Sequence, residues 1–340
     1  MYVGAGVSSG DEIICPAYTF YATVTPLFFI GALPILCDCD DSGNMDLAKI
    51  QSLITSKTKG IVVTHMWGVP AKIDEIRRIC DKYKLMLFED CSHAHGAKYN
   101  GYFVGKKSDA SVWSLQGQKI LTGGEGGILL TDNKNIYDRA LLLGHYNKRC
   151  KQEIFEKSVL YKYAVTGMGL KFRSHPLAIA VANEQFNNLD VWLTQKRYFA
   201  DLFNKRLSKL PGIRIPKVDL ESEPSWYAYV LQYVPEELDN LPIDKFYDAL
   251  IAEGCSELDR PGSTCPLNTL SLFQNPSELF PYYKGIDRVK YKEGDFPVAE
   301  NFYENALKLP VWVNKEDIKI VEKYIEAIEK VINNYKQLIK

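Results

Sequence analysis

The chain has 340 residues, with 41 lysines and arginines against 42 aspartates and glutamates and a formal charge of −1. That length suggests two domains, and the charge balance gives neither the electrostatic footprint of a nucleic-acid binder nor a basic tract for an anionic membrane. The longest apolar run, around Thr25–Cys37, is broken by Pro26, Gly31 and Pro34, too early for a membrane span, and no signal-peptide pattern follows Met1. Eight cysteines, at 15, 37, 39, 80, 91, 150, 255 and 265, form no Cys-x-x-Cys and no zinc spacing. Most lie in apolar runs and read as buried free thiols of a reducing cytoplasm.

Along the chain the first part alternates strand and helix. Ile13–Tyr18 is a short apolar run, Thr19–Ile30 reads as a helix, and Pro34–Asp38 reads as a strand. A short amphipathic helix over Asp46–Ile54, a β-branched strand over Gly60–His65 and a helix over Ala71–Tyr83 follow. Strands are predicted again at Leu85–Glu89, Ala110–Leu115 and Gly127–Thr131. This alternation predicts an α/β fold with a mostly parallel sheet covered on both faces, whose ligand groups gather at the carboxyl ends of the strands. From an N-cap at Ser174 a long helix is predicted to about Leu207, ending a large domain of residues 1–210. A smaller C-terminal α+β domain, 211–340, would hold a strand at Tyr227–Tyr233 and helices over Ile243–Glu253, Pro297–Lys308 and Lys315–Leu338. Between these, Ser256–Tyr291 reads as a long functional or mobile loop.

Two strand ends carry the chemistry. Leu85–Glu89 runs into Asp90-Cys91-Ser92-His93-Ala94-His95-Gly96, a dense ionisable group whose plainer reading is side chains satisfying loop backbone. Ala110–Leu115 runs into Gln116-Gly117-Gln118-Lys119 and then a turn with four glycines in Gly123–Gly127. A lysine between an apolar strand and such a turn is open to partial desolvation, which lowers its pKa and makes the amine a nucleophile toward carbonyls. The plainer reading is a surface hairpin with an incidental lysine. Together, an aspartate at one strand end and a lysine at the next suit pyridoxal 5'-phosphate: the lysine condenses with the aldehyde and the aspartate keeps the ring nitrogen protonated.

The sequence resembles the DegT/DnrJ/StrS family of pyridoxal-phosphate sugar aminotransferases, which have the type I fold. The resemblance runs through Gly10-Asp11-Glu12…Pro16-Ala17-Tyr18-Thr19-Phe20, His65-Met66-Trp67-Gly68-Val69-Pro70-Ala71 and Glu89-Asp90…His93-Ala94-His95-Gly96-Ala97. It continues through Ser114…Lys119…Gly124-Glu125-Gly126-Gly127, Gly169…Arg173…Pro176-Leu177-Ala178, Gly294-Asp295-Phe296-Pro297-Val298-Ala299-Glu300 and Leu309-Pro310. It implies that Lys119 holds the cofactor covalently and then carries the proton as acid and base, and that Asp90 pairs with the pyridine nitrogen. It places His93 at the ring hydroxyl, Phe20 against the ring face and Ser114 on the phosphate, with His65, His95 and Gly96 in structural roles. Ordinary core packing for Phe20 and a plain strand-end hydroxyl for Ser114 are the alternatives. It further implies a homodimer with shared sites, a nucleotide-linked keto sugar as acceptor and glutamate or glutamine as amino donor. Lys119, where the related dehydratases carry histidine, favours amino transfer.

The chain departs from the family pattern in three places. Lys171 stands where an Asn usually reaches the phosphate of the neighbouring subunit, and a lysine can serve there as a point charge or simply be a solvated surface residue. Gln116-Gly117-Gln118 replaces the commoner Pro-Thr type, which points to a distinct substrate subgroup. Met1 aligns near the end of the helix whose N-terminus cradles the cofactor phosphate in the family, so the large domain is expected to be N-terminally incomplete and cofactor binding weakened. That departure motivates a second reading, an inactive or regulatory protein of the same fold. A keto-cyclitol is an alternative acceptor, and a nicotinamide-dependent oxidoreductase is disfavoured because no Gly-x-Gly-x-x-Gly follows the first strand.

Overall fold

The structure, a computed structural model, describes residues 1–339. Its centre is a six-stranded sheet in the spatial order Leu33–Cys37, Glu12–Pro16, Thr58–Thr64, Met86–Asp90, Ala110–Ser114, Gly127–Leu130. The first five strands pair in parallel and Gly127–Leu130 joins antiparallel. Glu12–Pro16 and Leu33–Cys37 are buried at every residue, which is what helices on both faces of a parallel sheet demand and why these strands read as continuous apolar runs. The helix Ile73–Tyr83 covers one face with Ile73, Ile76 and Cys80 and ends on Lys84 in the left-handed region. The register sets Thr64 opposite Asp90 and Asp90 opposite Val112, so the polar ends of two adjacent strands lie level and the third strand continues two residues further to Ser114.

Three predicted helices differ. Thr19–Ile30 is not one helix: Tyr18–Phe20 is a strand paired antiparallel with Thr264–Pro266, a 3-10 turn covers Tyr21–Thr23, and the α-helix spans only Thr25–Phe29. Pro26 lacks an N–H and fits only a first helical turn, so the helix cannot extend back through it. The long helix after Ser174 starts at Pro176, capped by the His175 ring, and breaks into Pro176–Phe186 and Leu189–Leu207. At the break the Asn188 side chain donates to the Glu184 carbonyl (3.3 Å), giving the chain a local alternative to the helical ladder. Pro297–Lys308 is a helix only to Glu304; Ala306–Leu309 is a strand paired with Tyr229–Tyr233.

Hydrophobic packing forms two main cores. One surrounds the parallel sheet and draws in Leu267, Phe273, Tyr283, Val289 and Phe302 from the later half of the chain. The other joins Tyr229, Leu231 and Tyr233, helices Ile243–Ala252 and Ile318–Asn334, and Phe199, Phe203 and Leu207 of helix Leu189–Leu207. The stretch Ser256–Tyr291 is thus built from a strand and short helical turns, with Phe273 and Tyr283 packed edge-on against Phe28. All eight cysteines are buried free thiols, and burial raises thiols such as Cys80, pushed up to about 12. No helix among the described residues is long and apolar enough to cross a membrane.

Candidate active site

A cavity of about 600 Å³ opens over the carboxyl ends of the parallel strands. Phe20, Asp90, His93, Ser114 and Lys119 all line it. Lys119 follows the strand Ala110–Ser114 and is anchored by Leu115 and Leu121, which pack with Ala182, Leu189 and Leu193. The Gly-rich turn beyond it mainly serves helix packing: a Cβ on Gly123 would lie 2.6 Å from the Ala178 carbonyl oxygen, and only Gly126 of the turn faces the cavity. Burial lowers the Lys119 pKa, and the Asp90 carboxylate partly offsets this. The Lys119 amine has no ion-pair partner among the described residues and rests 4.8 Å from the centroid of the Tyr227 ring.

Asp90 ends the central strand Met86–Asp90 and is 8% exposed. Its Oδ2 accepts the Thr23 hydroxyl (2.7 Å) and its Oδ1 accepts the Ser92 N–H (3.0 Å). Thr19 lies 3.1 Å from the Thr23 hydroxyl and 3.0 Å from that of Thr64, so three threonines from three segments orient one carboxylate. His93 is buried, stacked on Tyr227 with centroids 4.1 Å apart and planes 8° apart. Burial, then the charge of Lys119, holds His93 well below its ordinary pKa, so the ring is neutral. Its Nδ1 is buried without a hydrogen-bond partner. The Ser114 hydroxyl accepts the Gln116 N–H (3.2 Å), and Phe20 is 37% exposed at the cavity mouth. His65 is structural: its Nδ1 accepts the Ala71 N–H and its Nε2 faces Glu89 at 2.9 Å.

Lys171 does not line this cavity; it is exposed on the segment before helix Pro176–Phe186. Sequence reasoning missed Thr23, Tyr227, Asp259 and Lys308, all of which line the cavity. Tyr227 is brought in by a strained turn. Trp226 has φ +53°, and Lys196 and Arg197 on helix Leu189–Leu207 donate to the carbonyls of Trp226 and Pro224, each at 3.0 Å. Trp67 and Gly68 lie directly beneath. Gly68 has φ +87°, and a Cβ there would lie 2.7 Å from the Tyr227 nitrogen.

The family model of the DegT/DnrJ/EryC1/StrS aminotransferase family matches residues 1–328. The chain belongs to that family. L-glutamine:scyllo-inosose aminotransferase of Streptomyces griseus is 29% identical over 339 residues, covering 98% of this chain and 79% of that protein. The dTDP-3-amino-3,4,6-trideoxy-alpha-D-glucose transaminase of Streptomyces venezuelae is 27% identical over 333 residues, covering 96% and 79%. The X-ray structure of the aminotransferase from Psychrobacter cryohalolentis superposes with a TM-score of 0.79 at 25% identity, covering 98% of this chain and 84% of that one. The α/β architecture with its mostly parallel sheet is therefore the fold of these aminotransferases, and amino transfer is the family's activity.

Proposed function

We propose that this protein moves an amino group from glutamate or glutamine to the keto group of a sugar, using pyridoxal 5'-phosphate held on Lys119. The nucleotide-linked class and the free cyclitol class are both represented among the relatives' names. The observation that carries the reading is the joint placement of a partly desolvated Lys119 amine and a buried, doubly hydrogen-bonded Asp90 carboxylate in one cavity. The residues fit the cofactor: the Nδ1 of His93 is buried without a partner, and the half-buried Lys119 amine has no ion-pair partner among the described residues.

When bound, the cofactor supplies an electron sink for the carbon that carries the transferred nitrogen. Lys119 would hold it, Asp90 would keep its ring nitrogen protonated, and Phe20 would cover one ring face. His93 would meet the ring hydroxyl and Ser114 the phosphate. The Lys119 Nζ would then act as base toward the donor's α-carbon proton and as acid in the later proton delivery, and burial, by lowering its pKa, favours the neutral amine that the first role needs. The neutral His93 beside it adds no competing positive charge. The acting form is a homodimer. Helix Pro176–Phe186 exposes the apolar side chains Leu177, Ile179, Val181 and Phe186, with Phe172 exposed just before it, and the exposed Lys171 on that preceding segment would reach the phosphate of a second copy.

The test is borohydride reduction of the cofactor-treated protein, then peptide mass spectrometry. The cofactor mass is expected on the peptide containing Lys119; an unmodified Lys119 in treated protein refutes the reading.

A further inference from the structure

Resting on the aminotransferase reading above, the geometry points to Asp259 and Lys308 as the pair that reads the ring hydroxyls of the acceptor. The two residues face each other across an isolated antiparallel bridge. The Asp259 N–H donates to the Lys308 carbonyl (3.0 Å) and the Lys308 N–H to the Asp259 carbonyl (2.7 Å). Their side chains meet on one side of that bridge, Nζ to Oδ2 at 2.7 Å, and both line the cavity that holds Lys119 and His93.

The position of Lys308 is unusual for a lysine. It sits in the strand Ala306–Leu309, whose other three residues are completely buried, and it alone turns into the cavity. Its charge is one of the influences that depress His93, so the ammonium acts on the same space as the cofactor-side residues. The charged lining of the cavity is two lysines, 119 and 308, and two aspartates, 90 and 259. Beside Lys119 and Asp90 the cavity therefore offers a second matched pair with no net charge. The carboxylate accepts from O–H groups and the ammonium donates to hydroxyl oxygens, with the Ser263 and Thr264 hydroxyls beside them. Such a pair suits adjacent hydroxyls on a six-membered ring. A diphosphate placed there would meet the Asp259 charge. A keto-cyclitol and the hexose ring of a nucleotide-linked sugar share this chemistry.

The two half-reactions separate this inference from the reading it rests on. Protein reconstituted with pyridoxal 5'-phosphate is mixed with L-glutamine or L-glutamate, and the loss of the cofactor's visible absorption times the donor half. The amine-loaded form is then mixed with scyllo-inosose in one arm and a dTDP-linked keto sugar in the other. In Lys308→Met and Asp259→Asn the donor half should change several-fold less than the acceptor half. The acceptor half should lose about 10- to 100-fold in kcat/KM, carried by KM, as for a hydrogen bond to a charged group. A loss in one arm only identifies which ring source is read. Unchanged acceptor halves in both arms, or equal losses in the two halves, overturn the inference, as does a wild-type donor half with neither acceptor consumed. A wild type inert toward both donors overturns the aminotransferase reading and this inference with it.

Discussion

Lys196 offers a quantitative test of how the site is held. It is 6% exposed on helix Leu189–Leu207, faces no carboxylate among the described residues, and donates to the main-chain carbonyls of Trp226 and Val311. Burial lowers its pKa to about 7, from the 10.5 of a free lysine. Because the native pKa lies below the unfolded one, the unfolded chain binds the extra proton between these values, and stability rises with pH across the window. The slope for one full proton is about 1.4 kcal/mol per pH unit. Lys196→Met removes that titration and leaves two carbonyls unpaired, at roughly 1–3 kcal/mol each. Urea midpoints of wild type and variant, measured from pH 6 to 9, should therefore diverge. Below pH 7 the gap is constant; from pH 7 to 9 it should widen by about 2–3 kcal/mol in favour of wild type. A gap independent of pH would refute the reasoning, because it would mean that Lys196 keeps its proton in the native state. A gap that narrows would mean that the sign is wrong.

Three further outcomes follow from the same geometry. Thr23→Val removes the donor to Asp90 Oδ2 and should cost about 1.5–3 kcal/mol in urea unfolding of the cofactor-free protein, with Thr23→Ser restoring most of it. Gly68→Ala would force a Cβ to within 2.7 Å of the Tyr227 nitrogen at φ +87°. Destabilisation by roughly 2–4 kcal/mol, with weakened cofactor binding measured by absorbance titration, is expected. Phe186→Asp, on a side chain that is 64% exposed, should leave monomer stability nearly unchanged but shift a dimer toward monomer in sedimentation velocity.

The parallel strands were legible because burial on both faces writes them as unbroken apolar runs. Asp90 and Lys119 were legible because polar residues at the ends of such strands stand out against them. Thr23 was hidden by a local error. A helix over Thr19–Ile30 looks plausible by apolar content, yet Pro26 confines the helix to Thr25–Phe29, and the residues before it turn instead so that the Thr23 hydroxyl meets Asp90. Tyr227, Asp259 and Lys308 were hidden by distance along the chain. Each reaches the cavity through tertiary pairing that no local period encodes: Lys308 through the bridge to Asp259, and Tyr227 through the Trp226 turn clamped by Lys196. The break at Asn187–Asn188 carries a visible polar signal, but its apolar flanks outweigh it in any periodicity reading.

The cavity lies at the seam of the two cores, and this division of labour constrains how substitutions act. Asp90 and Lys119 are fixed by the ends of the parallel sheet, whereas Lys308 belongs to the strand paired with Tyr229–Tyr233, at the edge of the second core. The two walls are not free to drift apart. Phe20, next to the Thr19–Thr23 hydroxyls that orient Asp90, is paired by its main chain with Thr264, five residues beyond Asp259. A substitution that moves the backbone of the Asp259–Thr264 wall must therefore also disturb Phe20, and its effect should appear in both half-reactions. One that changes only a side chain on that wall leaves the pairing intact and should appear mainly in the acceptor half. The same logic runs through Tyr227. Its ring touches His93 and Lys119, while its backbone hangs on Lys196, so truncating the ring and loosening the clamp perturb the same site by separate routes. Ring loss should change the Lys119 amine directly. Loss of the clamp should act through the strained Trp226 turn, and its effect on activity should follow the stability loss of Lys196→Met with pH.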